Sequence, residues 1–150
     1  MPSIDDLASA IIRQEGYGTP NAVTINNNNN PGALRSSPYQ IGTSNGFAQF
    51  ASYEDGYNAL VYDLQSKVNR GLSLRDFVYT YAPPTENDTS GYLNNLSSWL
   101  GIGADTKLGD WLNGNNNSSD SGDSSGSVDI RTNLPLILVG AVGLVLILRG

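Results

Sequence analysis

"SIDDLASAIIRQEG", residues 3–16, is the stretch on which the reading of the fold turns. Ser3 followed by Asp6 resembles a capping box, with Asp in the place usually taken by Glu or Gln. Ile4, Leu7, Ala8, Ile11 and Ile12 then recur at i, i+3, i+4, i+7 and i+8, which places them on a single helical face. Gly16 is a natural stop, because a glycine after the last helical turn enters the left-handed region without a Cβ penalty. A helix over 4–15 follows. Its last residue, Glu15, stands four positions after Ile11 and three after Ile12, so a carboxylate shares the face that the helix buries.

Outward from this helix the pattern changes and then returns. Residues 17–51 are rich in Asn, Gly, Pro and Ser, with short runs such as "AVTI" and "GFAQF", and read as loops with a small β-hairpin. Ser52 with Asp55 opens a second helix whose stripe is Tyr53, Tyr57, Leu60, Val61, Leu64 and Val68, ended by Gly71. Glu54 and Asp55 fall in its first turn, where carboxylates are electrostatically favoured, so capping accounts for both. A third helix starts at Ser73, with Leu74, Phe77, Val78 and Tyr81 inward, and Pro83-Pro84 ends it. A fourth runs from about Asp88 to Leu100 and buries Tyr92, Leu93, Leu96 and Trp99, and a short turn, "DTKLGDWL", closes the core. The fold class expected is α+β, mainly α, over residues 1–112.

The remainder is of a different kind. Residues 113–133, an Asn/Ser/Asp/Gly tract, have too little to bury to offset their ordering entropy and read as a flexible linker spanning roughly 25 Å. Its acid spacing lacks the terminal glutamate of an EF-hand loop, so no metal is expected there. Residues 134–148 are apolar and uncharged, bracketed by Arg131 and Arg149, with Pro135 suited to a helix start. As a helix this run would be roughly 22 Å long. Snorkelling arginines and a thinned bilayer can reconcile that with about 30 Å of hydrocarbon. A transmembrane helix, with the lipid bilayer as partner, is the reading preferred over a core helix.

Composition excludes several classes of chemistry. The chain has no Cys and no His, which removes disulfides, thiolate nucleophiles, Ser–His dyads and the usual zinc and haem sites, and no cofactor is expected. Net charge is −6 and the bases are scattered, so nothing tracks phosphates and no nucleic-acid partner is expected. "MPSIDDLASAII" has no basic n-region, which argues against an N-terminal secretory signal.

Hydrolytic chemistry must therefore rest on carboxylates, hydroxyls, amides, lysine or tyrosine, and Glu15 is the outstanding candidate. Apolar neighbours disfavour its anion, and the helix C-terminus adds partial negative charge, so both raise its pKa. A carboxylic acid that stays protonated near neutral pH can donate to a leaving oxygen, as the general acid of glycoside cleavage does. From this position alone, a solvated helix-end glutamate is the competing reading.

Four stretches, "IIRQEGYG", "NNNNPGALR", "GFAQFASYEDGYNAL" and "YTYAPPTENDTSGYLNNL", together resemble the peptidoglycan-cleaving domains of the lysozyme-like superfamily from phages and bacteria. The resemblance is to the soluble lytic transglycosylase and goose-type lysozyme branch, and covers about residues 4–102. It implies a lysozyme-like domain with Glu15 as catalytic acid. "GFAQF" is similar to that group's Gly-Leu-Met-Gln-Ile stretch, which implies Gln49 in the sugar-binding cleft. "TYAPP" is similar to its Tyr-Asn-Ala-Gly-Pro motif and implies Tyr81 as a cleft residue. Tyr92 corresponds to the Tyr of its Glu-Thr-x-x-Tyr segment. The chain departs from the pattern at Ala82 and Pro83, which replace Asn and Ala, and at Gly16, which replaces the usual Ser.

Each residue also has an ordinary structural explanation: core packing for Tyr81 and Tyr92, an exposed strand position for Gln49, and a turn for the asparagine run. In that run, Asn30 is a candidate for binding glycan N-acetyl groups. No second carboxylate stands out as partner to Glu15, which favours the transglycosylase route, where the sugar's own 6-hydroxyl is the nucleophile. The function expected is a membrane-tethered peptidoglycan lytic transglycosylase or muramidase acting on glycan strands. It is expected to be virion-associated and to open the wall during phage entry or exit, with capsid or other virion proteins as further partners. The anchor would sit in a virion's internal membrane or the host inner membrane. A non-catalytic glycan-binding or capsid–membrane linking protein is the alternative.

Overall fold

A computed structural model describes residues 1–115. The linker and transmembrane expectations, apart from the first linker residues, lie outside them. Among the described residues no helix is long and apolar enough to cross a membrane. The elements are α1 (Ile4–Glu15), α2 (Val23–Asn27), β1 (Gly42–Ser44), β2 (Phe47–Gln49), α3 (Tyr53–Asn69), α4 (Leu74–Tyr81), α5 (Thr89–Leu100) and α6 (Leu108–Leu112). The domain is mainly helical, with one two-stranded antiparallel sheet.

Capping sets the helix boundaries. The Ser3 and Asp6 side chains form a reciprocal capping box at α1, and Ser73 and Asp76 do the same at α4. Ser52 caps α3 through the Asp55 amide, and Asp88 caps α5 through the Gly91 amide. Gly16 ends α1 at φ 70°. Pro83 pushes the preceding residue out of the helical region, so α4 stops at Tyr81 with Ala82 at φ −128°, ψ 74°.

The α1 helix lies at the centre, packed against both α3 and α5, while α4 packs on α5 and α6 on α3. Leu7, Ala8 and Ile11 of α1 are fully buried among Leu60 and Leu64 of α3, Phe77 and Val78 of α4, and Leu96 of α5. Two expectations need correction. "AVTI" contributes to the short helix α2, because these residues close a compact turn after α1 and bury Ile25. Tyr53 stays 46% exposed because it begins α3 outside the core, beside Tyr17 at 5.4 Å between ring centroids.

The hairpin is too short to hold itself in place, since two three-residue strands carry few ladder bonds. The asparagine run anchors it. Asn28 Nδ2 donates to Ser44 O at 3.2 Å, and Asn29 Nδ2 donates to Phe50 O at 3.0 Å. Asn30 Nδ2 donates to both Leu34 O and Ala48 O at 2.9 Å, while its Oδ1 accepts from Leu34 N at 2.9 Å. The loop in turn presses on α3 at Gly56, where a Cβ would lie 1.9 Å from Asn29 O, so only glycine permits the approach.

The Asn30→Ala variant should therefore lose about 2–3 kcal/mol of stability, because Leu34 N and Ala48 O lose their partner while Leu34 O keeps only the Ala48 amide. Urea unfolding monitored by circular dichroism measures this.

Candidate active site

Glu15 occupies the position its periodicity requires. It is the last residue of α1, one turn beyond the buried Ile11, and Gly16 turns the chain away immediately afterwards. Its carboxyl meets the first turn of α5, where Tyr92 Oη donates to Glu15 Oε1 at 2.8 Å. Burial raises the Glu15 pKa above its ordinary value; the Tyr92 hydrogen bond and the charge of Arg35 oppose that shift without cancelling it. Tyr92 is itself buried, and desolvation together with the neighbouring Glu15 and Tyr81 keeps its phenol protonated. The phenol is thus a permanent donor to the carboxyl.

Tyr81 stands beside this pair at the end of α4, its ring centroid 6.4 Å from that of Tyr92 and 5.1 Å from that of Phe77. Its hydroxyl donates to Gly32 O. A Cβ on Gly32 would come within 3.0 Å of the Tyr81 hydroxyl oxygen and 2.7 Å of a Leu60 methyl, so a larger residue here would have to displace these side-chain ends. The Lys67 ammonium lies 5.6 Å from the Tyr81 ring centroid.

Of these groups, Glu15 and Tyr81 open onto a cleft of about 500 Å³, within the size range of small-ligand sites. Glu15 and Tyr81 line it together with Arg35 and Phe47 from the hairpin side and Glu86 from the loop after α4. Arg35 lies over the Phe47 ring, 4.3 Å from the centroid, and its Nη2 bonds to Glu86 Oε2 at 2.9 Å.

The structure thus brings Glu15, Tyr81 and Tyr92 together and separates the other two expected residues. Gln49 shares the β2 face of Phe47 through strand alternation, and its Nε2 is directed to Asn28 Oδ1 at 3.4 Å. It stands beside the cleft rather than within its lining. Asn30 corrects the expectation of a ligand-binding amide: it is fully buried, and its side-chain oxygen and nitrogen both bond to the loop and hairpin backbone.

The sequence reading missed Arg35, Phe47 and Glu86. Glu86 is a second carboxylate in the same cleft, but it sits in a polar loop with no periodicity to mark it. Among the described residues no group of acids forms a metal site. A further cavity of about 470 Å³ between α1 and the two tryptophans has Asp6 as its carboxylate, and that side chain is engaged in capping Ser3. Compared with family models, with curated proteins and with solved structures, the chain matches none.

The raised pKa has a consequence for stability. Folded Glu15 holds its proton more tightly than the unfolded chain, whose value is near 4.5. The fold therefore loses stability as pH rises from that value through the raised one, and the loss is complete above it. Glu15→Gln removes the charge and retains an acceptor for Tyr92. It is expected to raise Tm at pH 7, with the gain shrinking to nothing below about pH 4.5, as thermal melts across that range would show.

Proposed function

We propose that this chain cleaves the glycan strands of peptidoglycan, with Glu15 as the single general acid and base of a lytic transglycosylase. The supporting observation is the desolvated Glu15 carboxyl, hydrogen-bonded by Tyr92 and open to a cleft of about 500 Å³. In this reaction the Glu15 proton passes to the glycosidic oxygen as the C1–O bond breaks. The 6-hydroxyl of the same muramyl residue then bonds to C1, and its proton returns to the Glu15 carboxylate. No water is consumed, and the product carries a 1,6-anhydro ring. Tyr92 holds the carboxyl in place for both transfers and shares the charge that develops on it.

The lysozyme-like resemblance and the order of its motifs support the same reading. Residues 113–133 would serve as a leash and residues 134–148 as a bilayer anchor, either in a virion's internal membrane or in the host inner membrane. A catalytic domain held this way acts on wall close to the membrane, which suits local opening during phage entry or exit. Capsid or other virion proteins would then be neighbours of the anchored chain.

One observation favours the non-catalytic alternative. Ala82 and Pro83 line the cleft where the resembled motif carries Asn and Ala, so neither position offers a sugar a side-chain amide, and the nearby Asn87 amide donates to Pro83 O at 3.3 Å.

The test is digestion of purified peptidoglycan by the detergent-solubilised full chain, wild type beside Glu15→Gln, with products read by mass spectrometry. Anhydro-muropeptides from wild type, at least about 100-fold fewer from the variant, and a rate that falls as pH rises through the Glu15 titration are expected. Reducing-end products would assign hydrolysis instead. Binding without cleavage by either protein would leave a glycan-binding module.

A further inference from the structure

The cleft contains one charged contact that acid catalysis does not use. Arg35 leaves the asparagine-anchored loop and reaches across to Glu86, which stands between the two prolines ending α4 and the cap of α5. Both side chains are mostly exposed, 61% and 58%, so the pair is worth little as a stabilising element. The guanidinium is nevertheless well positioned. Its plane is supported by the Phe47 ring at 4.3 Å. The Asn45-Gly46 turn, with φ 51° and 78°, brings the hairpin tip so close that a Cβ on Gly46 would lie 3.2 Å from Arg35 Nη1. Among the described residues the Arg35 side chain donates only through Nη2, to Glu86, which leaves the rest of its fork unengaged.

An arginine seated over an aromatic ring, weakly paired and sharing a cleft with the Glu15 carboxyl, has the form of a carboxylate receptor whose position is held by an internal substitute. We propose that Arg35 is a specificity-determining residue that binds a carboxylate borne by the substrate's sugar substituents, and that Glu86 occupies its place when the cleft is free. This inference rests on the glycan-cleaving reading and specifies which strands the cleft accepts. Exchange of one carboxylate for another costs little at an exposed pair, so Glu86 competes with the ligand without blocking it. A substrate that displaces Glu86 anchors its anionic substituent on the hairpin wall and brings the neighbouring glycosidic bond alongside Glu15. Uncharged strands lack that anchor.

The experiment measures binding by calorimetry with the full chain in detergent, in a Glu15→Gln background so that nothing is consumed. Three tetrasaccharides are compared: neutral chitotetraose, a muramyl form with free lactyl carboxylates, and the same form carrying a short acidic peptide stem. The expected result is tighter binding of at least one anionic form than of chitotetraose, and which form gains identifies the source of the carboxylate. Arg35→Gln should reduce that preference by about tenfold, the effect of one charge-assisted hydrogen bond. Arg35→Lys should restore only part of it, because an ammonium lacks the planar fork. Glu86→Gln should increase the preference. Asp105→Asn, the same charge change at the remote Arg75 pair, should leave it unmoved.

Equal binding of all three ligands, or a preference unaffected by both Arg35→Gln and Glu86→Gln, would overturn the inference and leave the glycan-cleaving reading intact. No binding of any of them would overturn both.

Discussion

Buried and half-buried amide hydrogen bonds from the asparagine run hold one wall of the cleft to the helical body. Asn28, Asn29 and Asn30 supply hydrogen bonds that a longer sheet would otherwise provide, and they direct them to the backbone of a hairpin too short to persist alone. Gly56 permits the loop to lie against α3, and Gly32 permits it to meet the Tyr81 hydroxyl. Arg35 and Phe47 inherit their positions from this arrangement. The cleft is therefore a joint between a helical half, which carries the acid, and a polar loop, which carries the opposite wall.

The helical half has its own tension. Glu15 ends a stripe whose other members are buried in the core or, for Ile4 and Ile12, packed against it, and the fold places a titratable group where ionisation is opposed by burial. Tyr92 and Arg35 moderate that opposition from two sides, one by a hydrogen bond and one by charge. The residual bias toward the protonated form is the property a proton donor needs. A neutral residue would avoid this cost at the position; under the glycan-cleaving proposal, the carboxyl at the end of α1 is function held at a cost in stability.

The helical framework was legible in the sequence because its determinants are local. Ser3, Ser52, Ser73 and Asp88 cap where their spacing indicated, and Gly16 and Gly101 close α1 and α5 in the left-handed region. Glu15 was legible for the same reason, since helical periodicity places a side chain on a face; for Tyr92 periodicity indicated burial, and its place near Glu15 was implied by the lysozyme-like resemblance. The loop half was not. Asparagine is equally at home in a turn, at a ligand or in a buried network, and only long-range geometry distinguishes these roles. Asn30 therefore passed for a glycan contact while its amide was bonding to Leu34 and Ala48. Arg35 and Glu86 lie 51 positions apart in segments without periodicity, and nothing local announces that they meet.

The measurement that most directly tests the role given to Glu15 is its own titration, followed by carbon-detected NMR of the side-chain carboxyl in the folded chain. A midpoint above the ordinary value of 4.5 is expected, because burial outweighs both the Tyr92 hydrogen bond and the Arg35 charge. A midpoint at or below 4.5 would contradict it. Glu15 would then be a solvated helix-end carboxylate, ionised at neutral pH and unfit to donate a proton to a leaving sugar.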